Sequence, residues 1–175
     1  MAHSKMSRIA RRSHSSAQAA TMENFQLASR YAKFITQSPD QSLADGYSKA
    51  LKPRQNVYSR ALEDFMNPPV VEFIDTNNYK GSPGDKIIIR AEDDFRLTGV
   101  KVQIFAADGS LLEAGDAVQN RNGCDWTYTA TKAISKPGKS TIKATATDVP
   151  RHEGTLEVIL VTNFPPHDLN ISSKL

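Results

Sequence analysis

Seven short stretches of alternating apolar and polar residues, separated by turn-forming pairs and preceded by three helical stretches, predict a mainly β chain. The expected architecture is a seven-stranded immunoglobulin-like β-sandwich behind an α-helical N-terminal region. Length supports this: 175 residues suffice for one well-packed domain and a small appendage. At 39% hydrophobic and 23% charged residues, the composition is that of neither a membrane protein nor a disordered chain.

The first helical stretch runs from about Ser16 to Thr36, where Phe25, Ala28, Tyr31, Ala32 and Ile35 recur at helical spacing and make one apolar stripe. Ser38-Pro39-Asp40-Gln41 then reads as an N-cap, a proline at the first helical position and a capping-box glutamine. It opens a short helix carrying Leu43, Ala44, Tyr47 and Leu51, weakened by Gly46 and broken by Pro53. A third helix starts near Asn56, shows Val57, Tyr58, Ala61, Leu62 and Phe65 on one side, and ends at Asn67-Pro68-Pro69. Such short amphipathic helices need another surface for their stripes.

Beyond the prolines the period changes to that of strands. The predicted strands are Val70–Asp75, Lys86–Ala91, Gly99–Phe105, Leu111–Val118, Asp125–Thr131, Ser140–Ala146 and Thr155–Val161. Val100, Val102 and Ile104 alternate cleanly, as do Trp126, Tyr128 and Ala130, then Ile142, Ala144 and Ala146, then Leu156, Val158 and Leu160. Ser82-Pro83-Gly84, Asp108-Gly109, Asn122-Gly123 and Pro137-Gly138 supply the turns. With one cysteine, and Trp126 on the fifth strand, the sandwich is not of the disulfide-bridged antibody type. The domain plan is a basic arm (1–22), a helical region (23–67), the sandwich (70–162) and a tail (163–175).

Charge is unevenly spread. Residues 1–66 hold ten basic and five acidic residues, whereas the remainder holds twelve basic and fourteen acidic. Lys5, Arg8, Arg11 and Arg12, with no acid among residues 1–22, form an arm suited to an anionic surface, whether nucleic acid, acidic protein or lipid headgroups. Met1–Ala20 has no apolar core of a secretory signal, although its Arg- and Ser-rich, acid-free character is also that of an organellar transit peptide. No stretch approaches the ~18 uncharged apolar residues of a membrane span.

Several motifs carry a resemblance. The run from Ile87 to Val102, with its Ala91-Glu92-Asp93-Asp94 corner followed by Gly99-Val100, resembles the second and third strands of bacterial Ig-like domains. Ala107-Asp108-Gly109-Ser110, Trp126-Thr127-Tyr128, and Ala144-Thr145-Ala146-Thr147-Asp148 with a later Gly154 are similar to the same repeats. The whole arrangement resembles small Bacteroidetes-like bacterial proteins whose basic N-terminus and helical region end in an Asp-Phe-x-Asn-x-Pro stretch, here Asp64 to Pro69. That resemblance implies a fold and no activity.

Chemical motifs are sparse. His3, His14, His152 and His167 show no metal-ligand spacing. Cys124, a lone thiol at a strand start, reads as a small packing residue rather than a nucleophile. No Gly-x-Ser-x-Gly elbow, phosphate-binding glycine loop or zinc-protease helix occurs. Asp93, Asp94 and Asp148 fall at loop ends that a sandwich brings together, where oxygen-rich loops bind Ca²⁺; the alternative is that they accept loop main-chain N–H groups, as turn aspartates commonly do.

The expectation is therefore a protein that is not an enzyme, carries no cofactor, and acts as a structural or interaction module. Lys5, Arg8, Arg11 and Arg12 would make anionic contact, and Phe25, Tyr31 and Phe34 would dock the helices. The expected partners are further copies of the chain or a larger protein assembly. Non-specific nucleic acid is the alternative, and a carbohydrate- or Ca²⁺-binding module a third. The lone cysteine and the missing export signal point to the cytoplasm or to incorporation in a particle, with surface exposure by an accessory route as the other course.

Overall fold

The computed structural model describes residues 15–134 and 138–162. These form three helices and eight strands, in two compact units that divide between Leu62 and Glu63.

In the first unit, helix α1 (Ser16–Gln37) starts with a reciprocal cap. The Gln18 N–H donates to Ser15 Oγ at 3.3 Å, and the Ser15 N–H donates to Gln18 Oε1 at 3.0 Å. The helix thus begins inside the range expected to be a basic arm. Helix α2 (Ser42–Lys49) begins later than the Ser38-Pro39 signal predicts. Ser38 and Asp40 are spent on side-chain turns instead: Ser38 Oγ accepts from the Asp40 N–H at 3.2 Å, and Asp40 Oδ1 accepts from the Ser42 N–H at 2.9 Å. That bond holds the exposed Asp40 carboxyl below its ordinary pKa. Helix α3 (Val57–Met66) is capped by Asn56, whose Oδ1 accepts the Ser59 N–H at 2.8 Å while Ser59 Oγ accepts the Asn56 N–H at 2.9 Å. Arg60 Nε donates to the Ala50 carbonyl at 3.1 Å and ties the start of α3 to the end of α2. The division at Leu62 falls within α3, so its last turn belongs with the strands.

The second unit holds two four-stranded antiparallel sheets. One is ordered β1 (Val70–Asp75), β2 (Lys86–Glu92), β6 (Asp125–Thr129), β5 (Val118–Gln119). The other is ordered β4 (Leu111–Asp116), β3 (Leu97–Ala106), β7 (Gly138–Asp148), β8 (Glu153–Thr162). Their inward residues form a single core: Ile87, Ile89, Trp126 and Tyr128 from the first sheet meet Val100, Val102, Ile104, Ile142, Ala144 and Ala146 from the second. The alternation read in the sequence is the alternation of burial along β3, β6 and β7.

The count is eight strands rather than seven, because the predicted strand Leu111–Val118 is two. β4 runs beside β3 as far as Asp116, opposite Lys101. Ala117 then turns inward, 7% exposed, and its N–H donates to the Val100 carbonyl at 2.8 Å. The chain crosses there to the opposite sheet, where Val118 and Gln119 pair with Thr127 and Trp126.

Two features lock the sandwich. Glu113 on β4 is buried and accepts from the hydroxyls of Tyr128 and Thr131, each at 2.7 Å, and from the main-chain N–H groups of Thr131 and Lys132. It thereby fastens β4 to the chain leaving β6. Gly154 on β8 lies against the main chain before β1, where a Cβ would stand 1.9 Å from the Pro69 carbonyl oxygen. Only glycine permits that approach.

Candidate interaction surface

Helix α1 presents two different faces. Ala28, Ala32 and Ile35 are buried, and Tyr47 of α2 is buried in the same unit. The Tyr31 and Tyr47 hydroxyls stand 2.8 Å apart. Elsewhere the helix is open. Every residue from Ser15 to Leu27 is exposed, so the first three turns contribute nothing to a core. Large apolar side chains sit on this open helix: Phe25 is 51% exposed, Phe34 63%, and Met22 and Leu27 nearly half. Leu27 and Phe34, seven residues apart, share one face of the helix, and Met22 and Phe25, three apart, share another; exposed apolar side chains of this size are of the kind that binding surfaces carry.

Of the residues expected to dock the helices, Phe25 and Phe34 are exposed, while Tyr31 is half-buried and bonded to Tyr47. The expected apolar stripe places Phe25 with Ala28 and Ile35, but burial on α1 first appears at Ala28 because none of the described residues packs over the turns before it. Met22 and Leu27 were absent from the sequence reading. Leu27 carried a usable signal, since it lies four and seven residues before Tyr31 and Phe34. Lys5, Arg8, Arg11 and Arg12 lie outside the described residues.

Asp93 and Asp148 accept main-chain N–H groups, the second of the two expected roles, whereas Asp94 accepts from a side chain. Asp93 Oδ2 accepts from the N–H groups of Phe95 and Arg96, at 3.0 and 2.8 Å, closing the turn between β2 and β3. Asp94 Oδ2 accepts from Asn67 Nδ2. Asp148, fully buried, accepts the His152 N–H at 2.6 Å and faces His152 Nδ1 at 3.2 Å. Burial raises the pKa of this carboxyl above the ordinary aspartate value, against the lowering by the His152 N–H. The edge of the Phe65 ring meets the His152 imidazole with centroids 4.5 Å apart. Among the described residues no three His, Cys, Asp or Glu side chains gather as a metal ion would require. Asp93, Asp94 and Asp148, the residues expected as a Ca²⁺ set, each accept a hydrogen bond, while the second Asp93 oxygen, Oδ1, is buried without one.

Arg90 and Asp125 make a two-pronged ion pair at 2.7 and 3.1 Å, with the guanidinium 5.0 Å over the Phe73 ring. This pairing holds Asp125 below its ordinary pKa. Cys124 is a half-buried free thiol whose main-chain carbonyl accepts from Ala91. A shallow cleft of about 450 Å³ is lined by Asn67, Glu72, Glu92, Asp93 and Asp94. No helix among the described residues is long and apolar enough to cross a membrane.

No family model matches this chain, and no curated protein matches it. Among solved structures it is similar to CopC from Methylosinus trichosporium OB3b, at 11% identity over 53% of this chain and 91% of that one, with a TM-score of 0.39. It is also similar to an engineered protein, at 24% identity over 52% of this chain and 19% of that one, with a TM-score of 0.37.

Proposed function

We propose that this chain is a non-enzymatic interaction protein, in which an Ig-like module is joined to a larger assembly through helix α1 and the basic residues before it. The observation that carries this reading is the open apolar surface of α1. A helix of 22 residues in which twelve consecutive ones, Ser16–Leu27, are all exposed is marginal in water unless a partner covers it. The Ig-like reading draws support from strand order. β1-β2-β6-β5 and β3-β7-β8 follow the connectivity of a constant-type immunoglobulin sandwich, with β4 added at the edge beside β3. Lys5, Arg8, Arg11 and Arg12, four positive charges in the sequence before α1, would strengthen docking on an anionic partner, nucleic acid included.

A photo-crosslinking amino acid placed at Phe25 or Phe34 of the full chain, in its own cells, tests the docking role. The reading expects discrete crosslinked protein products from both positions and none from the same probe at Val118, which is 72% exposed on the sandwich. Equal yields from all three positions would overturn it. Changing Arg8, Arg11 and Arg12 to alanine is expected to weaken the interaction and flatten its dependence on salt, read as the salt concentration at which the complex dissociates.

A further inference from the structure

We infer that the surface α1 docks onto is the α1 of a second copy, running antiparallel; the inference rests on reading α1 as the docking element. Ala17, Ala20, Asn24, Leu27, Tyr31 and Phe34 follow one another at spacings of three and four residues. That spacing makes a continuous seam of the kind that pairs helices in a left-handed coil. Ala17, Ala20, Asn24, Leu27 and Phe34 are all exposed, and Tyr31 borders the seam with its hydroxyl held by Tyr47.

The seam is lopsided. Its N-terminal half is small, Ala17 and Ala20, and its C-terminal half is large, Tyr31 and Phe34. A parallel pair would set phenylalanine on phenylalanine at one end and alanine on alanine at the other, leaving a wedge. The antiparallel pair sets Phe34 on Ala17, Tyr31 on Ala20 and Leu27 on Asn24 of the second copy, so each layer holds one larger and one smaller side chain. Asn24 faces Leu27 of the second copy in this register and costs the seam some stability.

Charge selects the same arrangement. Glu23 and Arg30, both exposed, immediately precede the seam positions Asn24 and Tyr31. In the antiparallel register Glu23 of each copy lies beside Arg30 of the other, and two-fold symmetry makes the pair twice. In a parallel pair each of these two residues would flank position 28 or 35 of the other helix, where Ala28 and Ile35 carry no charge. Residues 17–34 overlap over about 27 Å, short enough that the dimer is a reversible one.

The test is sedimentation equilibrium of the full chain and of two variants, Glu23→Arg and Arg30→Glu. The wild-type chain is expected to show a concentration-dependent dimer. Each variant places like charges together twice and is expected to weaken that dimer about tenfold. Mixing the two variants restores both attractive pairs and is expected to return the affinity to the wild-type level. Both substitutions sit on exposed helix positions, so folding is not at stake, and far-UV circular dichroism checks it. A wild-type chain that stays monomeric, variants as tight as wild type, or a mixture no tighter than either variant alone would each overturn the inference. A monomeric chain whose Phe25 and Phe34 probes still capture another protein would overturn the second copy alone and leave the docking role of α1 standing.

Discussion

Three residues show how a single side chain can govern the sandwich. A Cβ on Gly154 would meet the Pro69 carbonyl oxygen at 1.9 Å, and neither group can move without shifting main chain. Gly154→Ala is therefore expected to cost roughly 2–4 kcal/mol, read as a lower urea midpoint of the full chain. Glu113 acts through charge. Burial pushes its carboxyl up, but hydrogen bonds from the Thr131 N–H and hydroxyl, the Tyr128 hydroxyl and the Lys132 N–H outweigh burial and hold the pKa below the ordinary 4.5. The ionised carboxylate thus stabilises the fold above that value, and the stabilisation is lost as pH falls through the depressed one. Glu113→Gln should flatten the acid limb of the stability profile measured by urea denaturation at stepped pH. Asp148 has the opposite sign. Its pKa is raised, so its contribution is present at low pH and is lost as pH rises through the raised value. Asp148→Asn retains an oxygen for the His152 N–H and should lack that loss, so its stability relative to wild type climbs as pH rises through that window.

At the scale of elements, α1 divides into a packed half and an open half. The open half relies on its own local bonds, so the Ser15–Gln18 capping box matters more to it than a cap does on a buried helix. Ser15→Ala is expected to cost about 1 kcal/mol of local helix stability. Far-UV circular dichroism should show lost helicity while the near-UV signal of Trp126, in the other unit, stays unchanged. The helices and strands themselves were legible in the sequence, because a period of 3.6 or 2 is a local property of neighbouring residues. Their edges were less so. The Ser38-Pro39 signal for α2 was misleading because Asp40 offers a nearer acceptor to the Ser42 N–H. The break at Ala117 was invisible because it depends on the Val100 carbonyl, seventeen residues earlier in the chain.

For the whole molecule, the core of the sandwich is built from residues between Val71 and Ala146, with Leu156, Val158 and Leu160 packed against it. No residue of α1 or α2 belongs to that core. Removing residues 1–36 is accordingly expected to leave a soluble, monomeric sandwich with the near-UV spectrum of Trp126 intact, measured by light scattering and circular dichroism. A truncated chain that aggregates or loses that spectrum would show that the helices are needed to complete the fold.

The sequence alone determined the mainly β body, the helical lead, six of the eight strands to within about three residues at either end, and the apolar residues that β3, β6 and β7 give to the core. All of these follow from which side chain neighbours which along the chain. Tertiary structure decided the rest. The crossing at Ala117, the closeness of Gly154 to Pro69, the satisfied burial of Glu113 and the local engagement of Asp93, Asp94 and Asp148 each join residues distant in the chain or choose between local partners. It also decided which apolar residues of α1 are core and which are surface. Ala28 and Ile35 are enclosed, whereas Phe25 and Phe34, just as apolar, are left to water by what packs around them.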